Sequence, residues 1–209
     1  MTPPPVRLGA VPRPVVGRRA RHEGAPGGQA PQGGKAAARL MRQVREAAQL
    51  CPELPEPGAH VHCLMTGFFD LCQVVTDVCR RTKPRALRVA TLCWSKRNVI
   101  DLAGLMEERT AAGDPLPLVL LASDFYFAHN AELIAWTRQQ LDGYPVRLVA
   151  ARSHAKVTAF DLGPGDGLVM EGSANLRTNR NQEQLLIARD RGAHDFHAAW
   201  IDRLAEGKG

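Results

Sequence analysis

Ala86-Leu87-Arg88-Val89-Ala90-Thr91-Leu92-Cys93 is followed by Trp94-Ser95, by a mixed stretch to Ala112, and then by Leu116-Pro117-Leu118-Val119-Leu120-Leu121-Ala122. The first run is rich in Leu and Val and reads as a strand. Ser95 suits the N-cap of a helix running to about Ala112, with Val99, Leu102, Leu105 and Met106 turned inward. The second run is short and nearly all apolar, as a strand must be when helices cover both faces of its sheet. This succession predicts a parallel βαβ unit.

The same rhythm extends outward. His60–Met65 reads as a strand, and Phe68–Arg81 as a helix with Leu71, Val74, Val75 and Val78 on one face. Ala131–Leu141 reads as a helix and Val146–Ala150 as a strand. Ala155–Phe160 and Leu168–Glu171 read as a hairpin around the Gly/Pro-rich turn at 162–167. Glu183–Ala188 predicts a further strand, and Asp195–Leu204 a closing helix with Phe196, Trp200 and Leu204 on one side. The expected fold class is α/β, a three-layer α/β/α sandwich with a mixed, mostly parallel central sheet. Upstream, Ala36–Leu50 has good helix formers with Leu40, Val44 and Ala47 recurring, and the Pro-rich stretch 51–58 ends it. Residues 35–58 are therefore expected as helix and linker, and 59–209 as the α/β domain. Residues 1–34 are Pro, Gly, Arg and Ala without an apolar period, which predicts a disordered tail.

With 209 residues, 44% of them hydrophobic, the chain holds enough for one core of ordinary size. No apolar run approaches the ~20 residues that span a bilayer, and the N-terminus has no signal-like apolar region. The five cysteines are an odd number and three sit in apolar runs, which points to buried thiols in a reducing, cytoplasmic setting. The net charge is +6, and the tail alone carries +4, from five arginines against Glu23. A basic arm favours an anionic partner, such as nucleic acid or an acidic membrane, and the alternative is a solvated tail that improves solubility.

Three pieces in the last quarter carry chemistry. His154-Ala155-Lys156 is followed after four residues by Asp161; then comes Gly172-Ser173-Ala174-Asn175; then Asn181-Gln182-Glu183. On a strand, residues i and i+2 share a face, so His154 and Lys156 are expected to point the same way. A neutral imidazole beside a fixed ammonium suits attack on phosphorus, with the lysine stabilising the non-bridging oxygens. Gly172-Ser173 closes a strand, where backbone N–H groups can approach an anion, and the Ser173 hydroxyl and Asn175 amide add donors. A nucleophilic histidine needs its other ring nitrogen held by an acceptor, and Glu183 is the best-placed carboxylate.

His154-x-Lys156-(x)4-Asp161 followed by Gly172-Ser173-x-Asn175 resembles the signature of the phospholipase D superfamily, and Asn181-x-Glu183 looks like its downstream Asn-x-Glu element. The resemblance spans roughly residues 59–204, with its motifs at 154–183. The Asp161–Gly172 separation is longer than the family's usual spacing and the Asn175–Glu183 gap shorter. The run after Asn175 is also similar to phospholipase D-like proteins of phage and prophage genomes. The resemblance implies a phosphodiester hydrolase in which His154 forms a phosphohistidine. Lys156, Gly172, Ser173 and Asn175 bind the phosphate, Glu183 orients His154, and Asp161 gives structural support. One motif per chain implies a homodimer, and the chemistry needs no metal or other cofactor. Small size and the basic arm favour a nuclease acting on DNA or RNA, most simply an endonuclease. The alternatives are a non-catalytic nucleic-acid-binding module on the same fold and a phospholipid phosphodiesterase.

Other residues have blander readings. Cys51, His60, His62 and Cys63 lack a CxxC and fit structural roles better than a zinc site. Trp94 suits the core better than base stacking. His129 reads as a surface or capping residue, and His194 and His197 as a solvated helix face. Arg177 and Arg180 are split evenly between phosphate contact and helix surface.

Overall fold

The computed structural model describes residues 39–44 (backbone only), 49–65, 69–177 and 181–207. The 1–34 tail and Arg180 lie outside the described residues. Along the chain come strands β1 (Arg39–Val44) and β2 (His60–Met65), helix α1 (Leu71–Thr82), β3 (Ala86–Thr91), α2 (Lys96–Ala111), β4 (Leu118–Ser123), α3 (Asp124–His129), α4 (Ala131–Gln140) and β5 (Val146–Ala151). They are followed by β6 (Val157–Gly163), β7 (Asp166–Gly172), β8 (Glu183–Arg189) and α5 (Arg191–Ala205).

The strands form one sheet in the order β1-β2-β8-β7-β6-β3-β4-β5. All run one way except β6 and β8. Each reversed strand lies between two co-directional ones. Most strands therefore share a direction, although the pairings through the middle of the sheet are antiparallel. On one face, Val75 and Val78 of α1 and Leu102 and Leu105 of α2 pack with Leu118, Leu120, Phe160 and Leu168 in one buried cluster. On the other, Ile201 of α5 packs with Ala90, Leu121 and Val149, and Trp200 packs with Val157, Ala159 and Val169. This is the three-layer α/β/α arrangement with a mixed sheet. β4 is apolar from Leu118 to Ala122 because both of its faces are covered.

Local signals set several boundaries. Ser95 caps α2: its hydroxyl accepts from Asn98 N–H, and Asn98 Oδ1 accepts in return from Ser95 N–H at 2.9 Å. The fully buried Asn98 also donates to Asp70 at the start of α1, at 3.0 Å, so one side chain ties the heads of two helices together. Pro164-Gly165 turns β6 into β7, with Gly165 at φ +74°, the conformation glycine supplies after proline in a tight turn. The long Asp161–Gly172 spacing therefore lengthens the two strands, and the loop stays short.

The structure corrects several local expectations. Arg39–Val44, read as part of a helix, is a strand paired in parallel with β2. The spacing of Leu40 and Val44 serves a helix face and strand alternation equally, and pairing to β2 decides between them. In α5, Phe196 is 68% exposed, while His194, Ala198 and Ile201 face inward. Asp190 caps the helix from a point earlier than expected, accepting from Ala193 N–H at 2.9 Å. His194 is thus buried, not solvated, and packs on Gly167, where an added Cβ would stand 2.6 Å from the His194 Cβ. His197 is largely covered too, between Glu171 at 3.0 Å and Trp200 at 3.1 Å.

Far from the motifs, Arg189 of β8 grips Asp166 of β7 through Nη2 at 2.6 Å and Nε at 3.0 Å. This hydrogen bonding holds the Asp166 carboxyl below its ordinary range, so the folded state favours the ionised form. Its contribution is present above the usual carboxylate pKa of about 4 and lost as the pH falls below it. Asp166→Asn is expected to lower stability by roughly 1 kcal/mol at neutral pH. In urea titrations the gap to the wild type should close below about pH 4; a gap independent of pH would mean the charge contributes nothing.

Candidate active site

Because β6 and β8 are reversed, their N-terminal ends meet the C-terminal ends of β3, β4, β5 and β7 at one edge of the sheet. Carboxyl edges of this kind are where ligands bind in open α/β sheets. His154, Lys156, Gly172, Ser173, Asn175 and Glu183 all lie at this edge.

His154 and Lys156 precede β6 and are not part of a strand. Their alignment comes from direct contact, with Lys156 Nζ 3.2 Å from His154 Nδ1 and 3.2 Å from the His154 carbonyl oxygen. Strand alternation, the expected cause, is not what aligns them. The segment is pinned by Ser153 N–H donating to the Ala151 carbonyl at 2.8 Å and by Ser153 Oγ accepting from Ala155 N–H at 3.2 Å. His154 is exposed. With the ammonium donating to Nδ1, a neutral ring carries its proton on Nε2.

Gly172 and Ser173 do a different job from the one expected. The Gly172 N–H donates to the Lys156 carbonyl at 3.2 Å and the Ser173 N–H to the Gln184 carbonyl at 3.0 Å, so both amides are engaged within the sheet. The expected backbone anion cradle is therefore not formed by them. A Cβ at Gly172 would collide with the Gln184 carbonyl, which makes glycine a steric requirement of β7–β8 pairing. The Ser173 hydroxyl donates to the Glu183 carboxylate and accepts from Gln184 N–H at 3.1 Å. Glu183 thus holds Ser173, whereas among the described residues the ring of His154 is bonded to Lys156. The carboxylate was expected to sit on the imidazole, but its place as the first residue of β8 sets it against the serine.

Asn175 Oδ1 accepts from Leu92 N–H at 3.1 Å, and Leu176 N–H donates to Thr91 Oγ1 at 3.3 Å, so this turn is laced to the exit of β3. Asp161 is not brought to the site. It lies roughly 13 Å along β6 from Val157, where it pairs with Arg191 at 3.1 Å and accepts from Gly163 N–H.

Two groups at this edge went unnoticed in the sequence. Cys93 lies beside Arg177 and Lys156; burial pushes its thiol up while the two cations pull the other way. Phe125 is 69% exposed at the start of α3, a helix the sequence reading passed over although Ser123 caps it. A cavity of about 620 Å³ is lined by Lys156, Glu171, Gly172 and Gln184 together with His62 and Leu64. Trp94 is core: its indole donates to Thr137 and its ring packs on Tyr126. The thiols of Cys51 and Cys63 face backbone carbonyls, and His60 meets His62 edge to face. Among the described residues no helix is long and apolar enough to cross a membrane.

No family model matches the chain, and no curated protein matches it. Among solved structures it is similar to a phospholipase D family member, Nuc from Salmonella typhimurium, with 14% identity and a TM-score of 0.44 over 63% of this chain and 85% of that one.

The steric role of Gly172 is open to measurement. Gly172→Ala should cost about 3 kcal/mol, because the β8 backbone must move. Gly104→Ala, in open space within α2, should gain about 0.5–1 kcal/mol through helix propensity. Equal melting temperatures for the two variants would refute the close-approach argument.

Proposed function

We propose that the chain is a phosphodiesterase of the phospholipase D type, and specifically a metal-independent nuclease that works as a homodimer through a phosphohistidine. The observation that carries this reading is the 3.2 Å contact between the Lys156 ammonium and the His154 ring at the carboxyl edge of the sheet. An incoming phosphodiester draws the ammonium onto its non-bridging oxygens, and the ring lone pair is released for attack. A nitrogen–phosphorus bond forms and the bond to the leaving oxygen breaks, with the proton for that oxygen coming from His154 of the partner subunit. Water then attacks phosphorus and frees the histidine. Asn175 and Ser173 shape the turn beside the reacting group, and Asp161 steadies the far end of β6.

A second reading has its own support. The amides of Gly172 and Ser173 and the Ser173 hydroxyl already have partners, which suits a module that binds nucleic acid without turning it over. The two readings separate on incubation with single- and double-stranded DNA and RNA in EDTA. Wild type should cleave, and His154→Ala should lose activity by roughly 10³-fold or more. Light scattering should report a dimer. Salt-sensitive binding that survives His154→Ala, with no cleavage by the wild type, would establish the binding module instead.

A further inference from the structure

His154 also borders a second cavity, of about 440 Å³, whose walls include Leu92, Cys93, Phe125, Tyr126 and Asn130. That volume lies in the range of small-molecule sites, roughly 300–1,000 Å³. Phe125 has no packing role that explains it, since it is 69% exposed on a helix whose next residue, Tyr126, is buried and hydrogen-bonded to Trp94. Its ring lies against His129, with centroids 3.9 Å apart and planes tilted by 31°, and His129 Nδ1 sits 2.8 Å from the Phe125 carbonyl. The phenyl ring is thus braced from one side while most of it faces solvent.

The rim carries polar groups with spare capacity. Ser123 Oγ accepts from Tyr126 N–H at 3.1 Å and Ser153 Oγ accepts from Ala155 N–H at 3.2 Å, so each hydroxyl retains a proton to donate. Asn130 donates its amide to the Tyr126 carbonyl at 2.9 Å, which leaves its side-chain oxygen as an acceptor. Two donors and an acceptor around an apolar slot with an aromatic wall match a flat heteroaromatic ring with polar edges. Lys156 and Arg177 do not line the cavity but lie beside Cys93, which does, and supply positive charge for an adjoining phosphate.

We infer that this cavity is a nucleobase subsite, in which the base next to the scissile phosphate stacks on Phe125 while the phosphate lies against Lys156 and Arg177. The inference rests on the phosphodiesterase reading above and narrows its substrate to single-stranded nucleic acid. A base paired and stacked in a duplex cannot enter the slot without being extruded.

The test compares an oligothymidylate of about eight nucleotides, a length within one single-strand site, with an abasic strand of equal length. Affinity is measured by fluorescence anisotropy and cleavage is followed in EDTA. Wild type should bind the base-bearing strand roughly ten-fold more tightly, the scale of one base–aromatic stack. Phe125→Ala should erase that preference and Phe125→Trp should keep it, and both variants should melt as the wild type does because Phe125 is exposed. Equal affinity of the wild type for both strands, or a preference that survives Phe125→Ala, overturns the subsite. Cleavage reports on the parent reading separately. Base preference without cleavage keeps the subsite and removes the reaction, while cleavage without base preference does the reverse.

Discussion

The β8 backbone passes so near Gly172 that no side chain fits between them. Much of the candidate site depends on this close approach. It lets β7 and β8 stay paired to their ends, and it sets the Ser173 hydroxyl against Glu183 and Gln184. It also leaves the Gly172 N–H to anchor the Lys156 carbonyl, so the segment bearing the imidazole and the ammonium is tied to the strand beside it. A glycine that sequence reasoning assigned to phosphate binding therefore acts first as a packing element.

The electrostatics at this edge follow from the same pairing. The two N-terminal strand ends and the surrounding C-terminal ends bring Lys156 and Arg177 near Cys93, while Glu183 is buried under Ser173. Lys156 and the exposed Arg177 thus face this edge, Glu183 is covered, and Glu171, partly exposed, pairs with His197. The Lys156 ammonium bonds both the ring and the carbonyl of the neighbouring histidine, and among the described residues this contact is what orients the imidazole.

Much of the fold was legible because its signals are local. Ser95 announces α2 through its own side chain, and β4 is apolar from Leu118 to Ala122 because two helical layers cover it. The βαβ rhythm fixes direction for most strands, and the hairpin supplies a reversal that loop residues reveal. What could not be read depends on contacts distant in sequence. Arg39–Val44 is equally suited to helix and strand until β2 pairs with it. His194 looks like a surface residue until Gly167 opens a place for its ring. The candidate site divides in the same way. His154 and Lys156 were found from spacing, although a hydrogen bond and not strand geometry aligns them. The partnership of Glu183 with Ser173, the remote position of Asp161 and the exposed Phe125 needed the tertiary arrangement.

The imidazole and ammonium sit on a short connection between β5 and β6, fastened at both ends by main-chain bonds and contributing little to the buried core. The candidate reactive pair and the buried core thus draw on separate residues. Variation in this connection can retune reactivity with little loss of cohesion, and drift in the hydrophobic layers can proceed while the reactive pair is retained. On the proposed reading, a lineage built on this plan can lose the reaction and keep its shape, or acquire another by rewriting a handful of positions.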